Sequence, residues 1–207
     1  MVQVSRQVRQ LRRVQVILMA LAAGMFARAS AQGPSIDAAL LAKANAGDAA
    51  AQVQVGESYA HDAAVTHDKA QIAEDYKQAE AWYRKAAEQS NIAGELHLAA
   101  FYRDGGRGFE RDMTKAAAWY RKAADQGDAA AQATLGVLYS MGQGVPQSDV
   151  EAYFWLDLAA AVKGPNQEKY ATNRQMIGQH ITADELADVQ DRVAAWKAAH
   201  PRPNQSQ

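Results

Sequence analysis

Hydrophobic and small residues recur along the chain with the spacing of amphipathic helices. Ala131, Leu135, Leu138 and Tyr139 stand at positions i, i+4, i+7 and i+8, so a helix would carry them on one face. The same frame recurs twice earlier in the chain, as Ala51, Val55 and Tyr59, and as Leu98, Phe101 and Tyr102. This pattern predicts three equivalent helices, each buried along one side.

A second helical pattern alternates with the first. The sequence AWYRKAA at residues 81–87 returns 37 residues later at 118–124, and a degraded copy around Trp155 follows 36 residues after that. Residues able to cap a helix N-terminus precede the Ala-rich runs, namely Asp48, Asn91 and Asp128. Each unit is therefore predicted to be a pair of short helices. A fixed period of this length is typical of solenoid proteins.

The turns inside the units differ. In the third unit, Gly142, Gly144 and Pro146 end the first helix, and residues 148–151 fit a capping box for the second. In the middle unit, residues 105–109 serve as the turn and Asp112 can cap. The first unit spans 23 residues from its Tyr to its Trp, against 17 and 16 in the others, without a Gly pair. We therefore expect a long polar loop there, carrying His61, Asp62, His67, Asp68, Glu74 and Asp75.

These motifs resemble the Sel1-like repeat, a relative of the tetratricopeptide repeat. The residues that match in the third unit and the helix before it are Lys115, Ala116, Trp119, Tyr120, Lys122, Ala123, Ala124, Gly127, Ala131, Leu135, Gly136, Tyr139, Gly142, Gly144 and Val145. The resemblance implies an all-α, right-handed helix-turn-helix solenoid. The array would cover residues 36–163, divided at about 36–90, 91–127 and 128–163.

A helical cap is predicted after the array, over residues 165–200. A break at residues 163–166 precedes it, and a capping box at 182–185 opens its last helix. In that helix an apolar stripe can cover the core of the last repeat, formed by Leu186, Val189, Val193 and Trp196. The polar tail, residues 201–207, is predicted to be disordered.

The first 31 residues have the pattern of a secretory signal peptide. Four Arg precede an apolar run over residues 14–27, and small residues follow. The run is shorter than the roughly 20 residues of a membrane span. Cleavage is expected between Ala31 and Gln32, with cleavage after Ala29 as the alternative. Arg12 and Arg13 leave twin-arginine export open beside the general route. The predicted localisation is the periplasm or the outside of the cell.

Composition narrows the function classes. The chain has 46 Ala and 5 Pro among 207 residues, which favours helix, and its lack of Cys excludes disulfides and thiolate metal sites. Its formal net charge is −1. Removal of residues 1–31 leaves 17 basic and 23 acidic residues, a net charge of −6. We expect no nucleic-acid partner and, after signal cleavage, no membrane partner.

Candidate binding residues follow from the resemblance, because such folds line a concave face with their first helices. His97 aligns there with Gln54 and Thr134, and Glu57 and Arg103 are near in sequence. The alternative is a variable, solvent-facing column. The repeated Trp-Tyr pairs are interpreted as core. The His and Asp residues of the first loop lack the spacing of a helical metal pair, so we predict no metal, no cofactor and no catalytic residue.

The leading hypothesis for function is a scaffold or regulatory adaptor that binds a protein or peptide in its concave groove. One alternative is an enzyme, since some cysteine-rich Sel1-like proteins are linked to β-lactam hydrolysis, although this chain lacks their cysteines. Another is a structural spacer in the cell envelope. The oligomeric state is left open.

Overall fold

The structure is a computed structural model that describes residues 33–105 and 110–201. Within those residues the chain forms helices and no strand, which confirms the all-α prediction. The helices are α1 (Ala38–Asn45), α2 (Ala49–Val65), α3 (Lys69–Ala87), α4 (Ile92–Asp104), α5 (Met113–Asp125), α6 (Ala129–Met141), α7 (Asp149–Ala160), α8 (Gln167–Gly178) and α9 (Ala183–Ala199). The predicted signal peptide with its cleavage site, part of the middle turn and the tail from residue 202 lie outside the described residues.

Helix pairs stack in chain order. Helices α2 and α3, α4 and α5, and α6 and α7 form three pairs, and each pair packs on the next. Helix α1 packs on α2 at one end, and α8 and α9 both pack on α7 at the other. The first helices α2 and α4 also touch each other directly. A stack in which each pair contacts only its neighbours is the arrangement of a solenoid.

The predicted helix starts are confirmed by the capping hydrogen bonds. Asp48 and Asp128 accept from the backbone N–H three residues ahead, at 2.8 and 2.7 Å, and Asn91 does the same at 3.0 Å. Asp112 accepts from the N–H of Lys115 at 2.9 Å. Each bond satisfies a donor that the first turn of a helix leaves free. The sequence therefore marks the repeat boundaries chemically as well as by hydrophobic spacing.

The glycine turn of the third unit ends α6 and packs against the preceding unit. Gly142 follows the last residue of α6 with φ +64°, a left-handed conformation that favours Gly. Gly144 has φ +74°, and a Cβ there would stand 2.0 Å from the carbonyl oxygen of Met113 at the start of α5. The two glycines of the Gly-x-Gly motif have different roles. Gly142 allows the left-handed conformation that ends the helix, and Gly144 allows the close approach to the backbone of Met113.

One predicted capping box forms and the other forms only in part. Thr182 and Glu185 exchange both hydrogen bonds at the start of α9. Ser148 accepts from the N–H of Glu151 at 3.2 Å, but the Glu151 carboxylate instead accepts from Arg192 Nη2 on α9 at 2.6 Å. The box predicted at residues 148–151 was therefore half wrong, because the terminal helix offers the carboxylate a charged partner.

Three of the four residues of the Trp-Tyr pairs lie in the core, as predicted. Trp82, Tyr83 and Tyr120 are buried, whereas Trp119 is half-buried and packs against the core. Lys85 Nζ lies 3.7 Å from the ring centre of Trp82, and the equivalent Lys122 lies 3.8 Å from that of Trp119. The ammonium group of each Lys lies over the face of the Trp ring that is nearer to solvent, as in a cation–π contact.

The third copy of this motif is modified to receive the terminal helices. Leu158 replaces the Lys and is buried with Val189 and Val193 of α9, which confirms that the stripe on α9 covers the last repeat. Asp157 replaces the Arg of the other copies, and its carboxylate accepts from Arg174 on α8 at 2.7 Å and from Lys197 on α9 at 3.3 Å. The degraded motif is thus the docking surface of the cap.

The prediction of a long loop in the first unit was wrong. The additional residues of the first unit lengthen its helices, with α2 at 17 and α3 at 19 residues, against 13 in α4 and in α5. Only residues 66–68 connect them, and Asp68 caps α3. His61 and Asp62 lie on α2, whereas Glu74 and Asp75 lie on α3. Asp75 is buried, and burial raises its pKa. Without Gly or Pro at the crossing, the two helices continue for further turns.

A groove across the first two repeats

The two long helices of the first unit and the first helix of the second border an open pocket of about 630 Å3. Helix α2 contributes Glu57, Ala60 and His61, helix α3 contributes Tyr76 and Tyr83, and helix α4 contributes His97, Ala100, Phe101 and Asp104. The volume lies within the ~300–1,000 Å3 of small-ligand pockets. His61 aligns with Asp104, the last residue of α4, and Tyr76 aligns with Met113, the first residue of α5. These lining residues therefore belong to the part of the helix pair that the first unit shares with the second.

His97 links α2, α3 and α4 at the floor of this pocket. Its ring stacks on Tyr83, with centroids 4.2 Å apart and planes inclined by 9°, and its Nε2 lies 3.4 Å from Glu57 Oε1. Burial raises the pKa of the Tyr83 hydroxyl, and the nearby Glu57 charge raises it further. The Tyr83 ring therefore acts as a neutral platform, and Glu57 supplies negative charge above it.

Aromatic side chains form the apolar wall. Tyr76 meets the edge of Phe101 with centroids 5.6 Å apart, and Phe101 lies 5.8 Å from Tyr83 at a tilt of 55°. Edge-to-face arrangements of this kind hold rings in fixed positions. The pocket consequently combines one rigid aromatic side with one polar side, the composition expected of a recognition site.

A second pocket of about 490 Å3 continues the first along α2. Glu57 and His61 line both pockets. The second is completed by residues from the chain start, α1 and α2, namely Pro34, Ser35, Leu40, Gln54, Ser58 and Asp62. Because Glu57 and His61 border both, the two pockets lie side by side along α2, and we call them together the first-repeat groove.

Asp104 lines the α4 side of the first pocket, and Arg103 holds its carboxylate in place. The Arg103 guanidinium donates to Asp104 at 2.6 and 3.0 Å and to the Tyr120 hydroxyl at 2.9 Å. These bonds hold the pKa of Asp104 below its usual range. Arg103 itself does not line the pocket. It joins α4 to α5, and it neutralises much of the charge of the carboxylate at the edge.

The structure brings together only some of the residues predicted for the concave face. Glu57 and His97 line the first pocket, and Gln54 lines the second. Thr134 lines neither, and its hydroxyl donates to the Ala130 carbonyl of its own helix at 2.8 Å. The prediction missed the aromatic residues Tyr76 and Phe101. Both follow the helical frame of the core, so their spacing alone could not separate pocket wall from buried face.

Within residues 33–105 and 110–201, no group of three or more His, Asp or Glu side chains is placed to hold a metal ion. Among the helices described, none combines the length and the apolar character that a membrane crossing requires.

Comparison with known proteins places the fold. The Sel1 repeat family model matches residues 49–91, 92–128 and 129–161. A Sel1 repeat protein from Oxalobacter formigenes is similar in structure, with a TM-score of 0.55 and 31% identity over 66% of this chain and 94% of that one. No curated protein matches the chain.

A second solved structure is c5321, a protective antigen present in uropathogenic Escherichia coli strains that displays an SLR fold. It shares 25% identity with a TM-score of 0.55 over 78% of this chain. This chain spans 40% of the length of c5321. Three matched repeats cover more than half of the chain and coincide with the helix pairs α2–α3, α4–α5 and α6–α7. The chain belongs to the Sel1 repeat family.

Proposed function

We propose that this protein is an exported adaptor that binds a protein or peptide partner in the first-repeat groove. The observation that carries this proposal is that two pockets lie side by side along α2, with Glu57 and His61 bordering both. A depression extended along a helix suits a chain segment that crosses it. Sel1 repeats are typically protein-interaction scaffolds, and the stacked helix pairs hold the groove walls rigidly.

Binding is tested by crosslinking and pull-down from the host envelope with the purified protein. Gln54 lines the second pocket, so Gln54→Arg should reduce capture of the partner. Gln175→Arg is the matched control, because it adds the same side chain at an exposed position on α8, outside the groove. Loss of a partner with Gln54→Arg alone supports groove binding. Equal capture by both variants moves the interface elsewhere, and absence of any specific partner counts against the adaptor function.

Export is tested separately. The proposal requires a processed chain in the periplasmic or extracellular fraction, beginning at Gln32 after cleavage behind Ala31. The supporting features are the Arg-rich start, the apolar run and the small residues before residue 32. Mass spectrometry of the N-terminal peptide from each cell fraction measures this directly. An unprocessed chain confined to the cytoplasm would overturn export while leaving the binding proposal in place.

A further inference from the structure

The first-repeat groove has a consistent charge. Glu57 and Asp62 lie five residues apart on α2, and Asp104 lies opposite on α4. No Lys or Arg is among the described residues that line either pocket. Arg103 pairs with Asp104, and the charge of Arg111 also lowers the pKa of that carboxyl. Among the described residues, the ionisable group that pairs with Glu57 is the His97 imidazole. Negative charge is therefore concentrated on the α2 side of the groove.

Next to this charge lies the aromatic wall. Tyr76 and Phe101 present apolar surface in the pocket that Glu57 enters. A basic side chain fits such a site well, because its aliphatic stem can lie on apolar surface while its charged end reaches a carboxylate. An acidic side chain would meet like charge, and such juxtapositions are strongly unfavourable.

We propose, building on the adaptor function above, that the first-repeat groove recognises a peptide segment carrying Lys or Arg next to an aromatic or large aliphatic residue. The basic side chain pairs with Glu57, and the apolar residue packs on Tyr76 and Phe101. The segment continues past His61 towards Asp62 in the second pocket. Two neighbouring pockets of about 630 and 490 Å3 offer more room than a single small cation fills, which favours a peptide.

The occupant is tested by selection of a phage-displayed library of random dodecapeptides on the immobilised protein. The protein should enrich peptides in which Lys or Arg neighbours an aromatic or aliphatic residue. Glu57→Lys reverses the central charge and should abolish that enrichment. Glu168→Lys makes the same charge change on exposed α8, outside the groove, and should retain it. Circular dichroism on all three proteins verifies that they fold alike.

A selected peptide then gives the affinity by fluorescence polarisation. We expect binding to weaken by at least about tenfold in Glu57→Lys and to change little in Glu168→Lys. Replacement of the basic residue of the peptide by Glu should weaken binding to the unmodified protein and improve it to Glu57→Lys.

Three results would overturn the inference: no enriched peptide, enrichment without basic residues, or equal enrichment on Glu57→Lys. Displacement of the peptide by spermidine at similar concentration would identify a free polyamine as the occupant instead, and would likewise overturn it. If the pull-down partner is still lost with Gln54→Arg while basic peptides are not selected, the adaptor function survives and only this specificity fails.

Discussion

Gly56 on α2 lies so close to Tyr83 on α3 that a Cβ at residue 56 would stand 2.7 Å from Tyr83 Cε1. The third unit repeats the relationship, since a Cβ at Gly136 would stand 2.8 Å from Leu156 Cγ. Gly inside a helix costs roughly 1 kcal/mol relative to Ala. The Gly is needed because it lets the backbone of the first helix pack directly against a core side chain of the second helix, Tyr83 in the first unit and Leu156 in the third.

The first prediction concerns this contact. Gly56→Ala should destabilise the protein by about 1–3 kcal/mol despite the better helix propensity of Ala, because Tyr83 is buried and cannot move away. Urea unfolding followed by circular dichroism measures the change. Gly164→Ala is the control, since a Cβ at Gly164 meets nothing within 4 Å and that residue has no positive φ. Similar stability for Gly56→Ala and the unmodified protein would show that α2 and α3 can separate freely.

Periodic features of the sequence predicted the fold well. The N-caps at Asp48, Asn91 and Asp128, and the glycine turn after Met141, are local signals that tertiary contacts leave unchanged. The prediction of a long first loop was wrong because it compared the first unit with the other two, whose turns contain glycines. In the first unit the longer distance from Tyr to Trp suggested a loop, but the segment contains no Gly or Pro to end a helix. Its residues favour helix, and α2 and α3 are longer as a result.

The groove was predictable only in part. Alignment of the first helices identified His97 and Gln54, because residues at one repeat position share one face, and Glu57 was included because it lies near them in sequence. The same alignment included Thr134, which lies in the third unit and lines neither pocket, because both pockets lie along the first unit. The stacking of His97 on Tyr83 depends on the separation of neighbouring units, which a single sequence does not encode locally.

The second prediction concerns Glu95, which occupies a buried position that holds Gln in the other units. Gln52 and Gln132 each donate to a backbone carbonyl at 3.1 Å, and an ionised Glu95 cannot donate. Burial raises the pKa of Glu95, against the opposing effects of Lys122 and of the Gln126 hydrogen bond. Glu95→Gln should therefore stabilise the protein at pH 7 by about 1 kcal/mol.

The sign of the pH dependence follows from the raised pKa of folded Glu95. The favourable contribution of its proton is fully present below the ordinary Glu pKa of about 4.3 and is lost as pH rises through the folded pKa. The advantage of Glu95→Gln should thus grow from acid to neutral pH in thermal unfolding measured across that range. Glu88→Gln, on the exposed turn after α3, should show no such trend. Parallel curves for Glu95→Gln and the unmodified protein would contradict the prediction.

The third prediction concerns a side-chain hydrogen bond that two of the repeats share and the third repeat lacks. Gln52 Oε1 accepts from Gln89 Nε2 at 2.8 Å, and Glu95 accepts from Gln126 in the same way. The equivalent Gln132 Oε1 is buried and accepts no hydrogen bond from the part of the chain that the structure describes, because Val162 stands where the other units have Gln. Val162→Gln should supply the donor and raise the free energy of unfolding by about 1 kcal/mol.

A double-mutant cycle checks the origin of that gain. In a Gln132→Leu background the acceptor is absent, so Val162→Gln should lose its benefit there. Chemical denaturation of the four proteins gives the coupling energy. An equal gain in both backgrounds would assign the effect to the turn after α7 and not to the hydrogen bond.

The fourth prediction concerns the carboxylate that joins the terminal helices to the array. Asp157 is mostly buried and pairs with Arg174 on α8 and Lys197 on α9. Asp157→Asn should weaken both contacts at once and raise local opening of α8 and α9 more than it lowers global stability, because units at the end of a stack can open separately. Hydrogen exchange resolved by peptide should show faster exchange over residues 167–199 and little change over α2 to α5.

Asp125→Asn is the matched control, since its pair with Arg121 lies exposed on a single helix. Unchanged exchange in α8 and α9 for Asp157→Asn would mean that the apolar contacts of Val189 and Val193 hold the cap without the ion pairs.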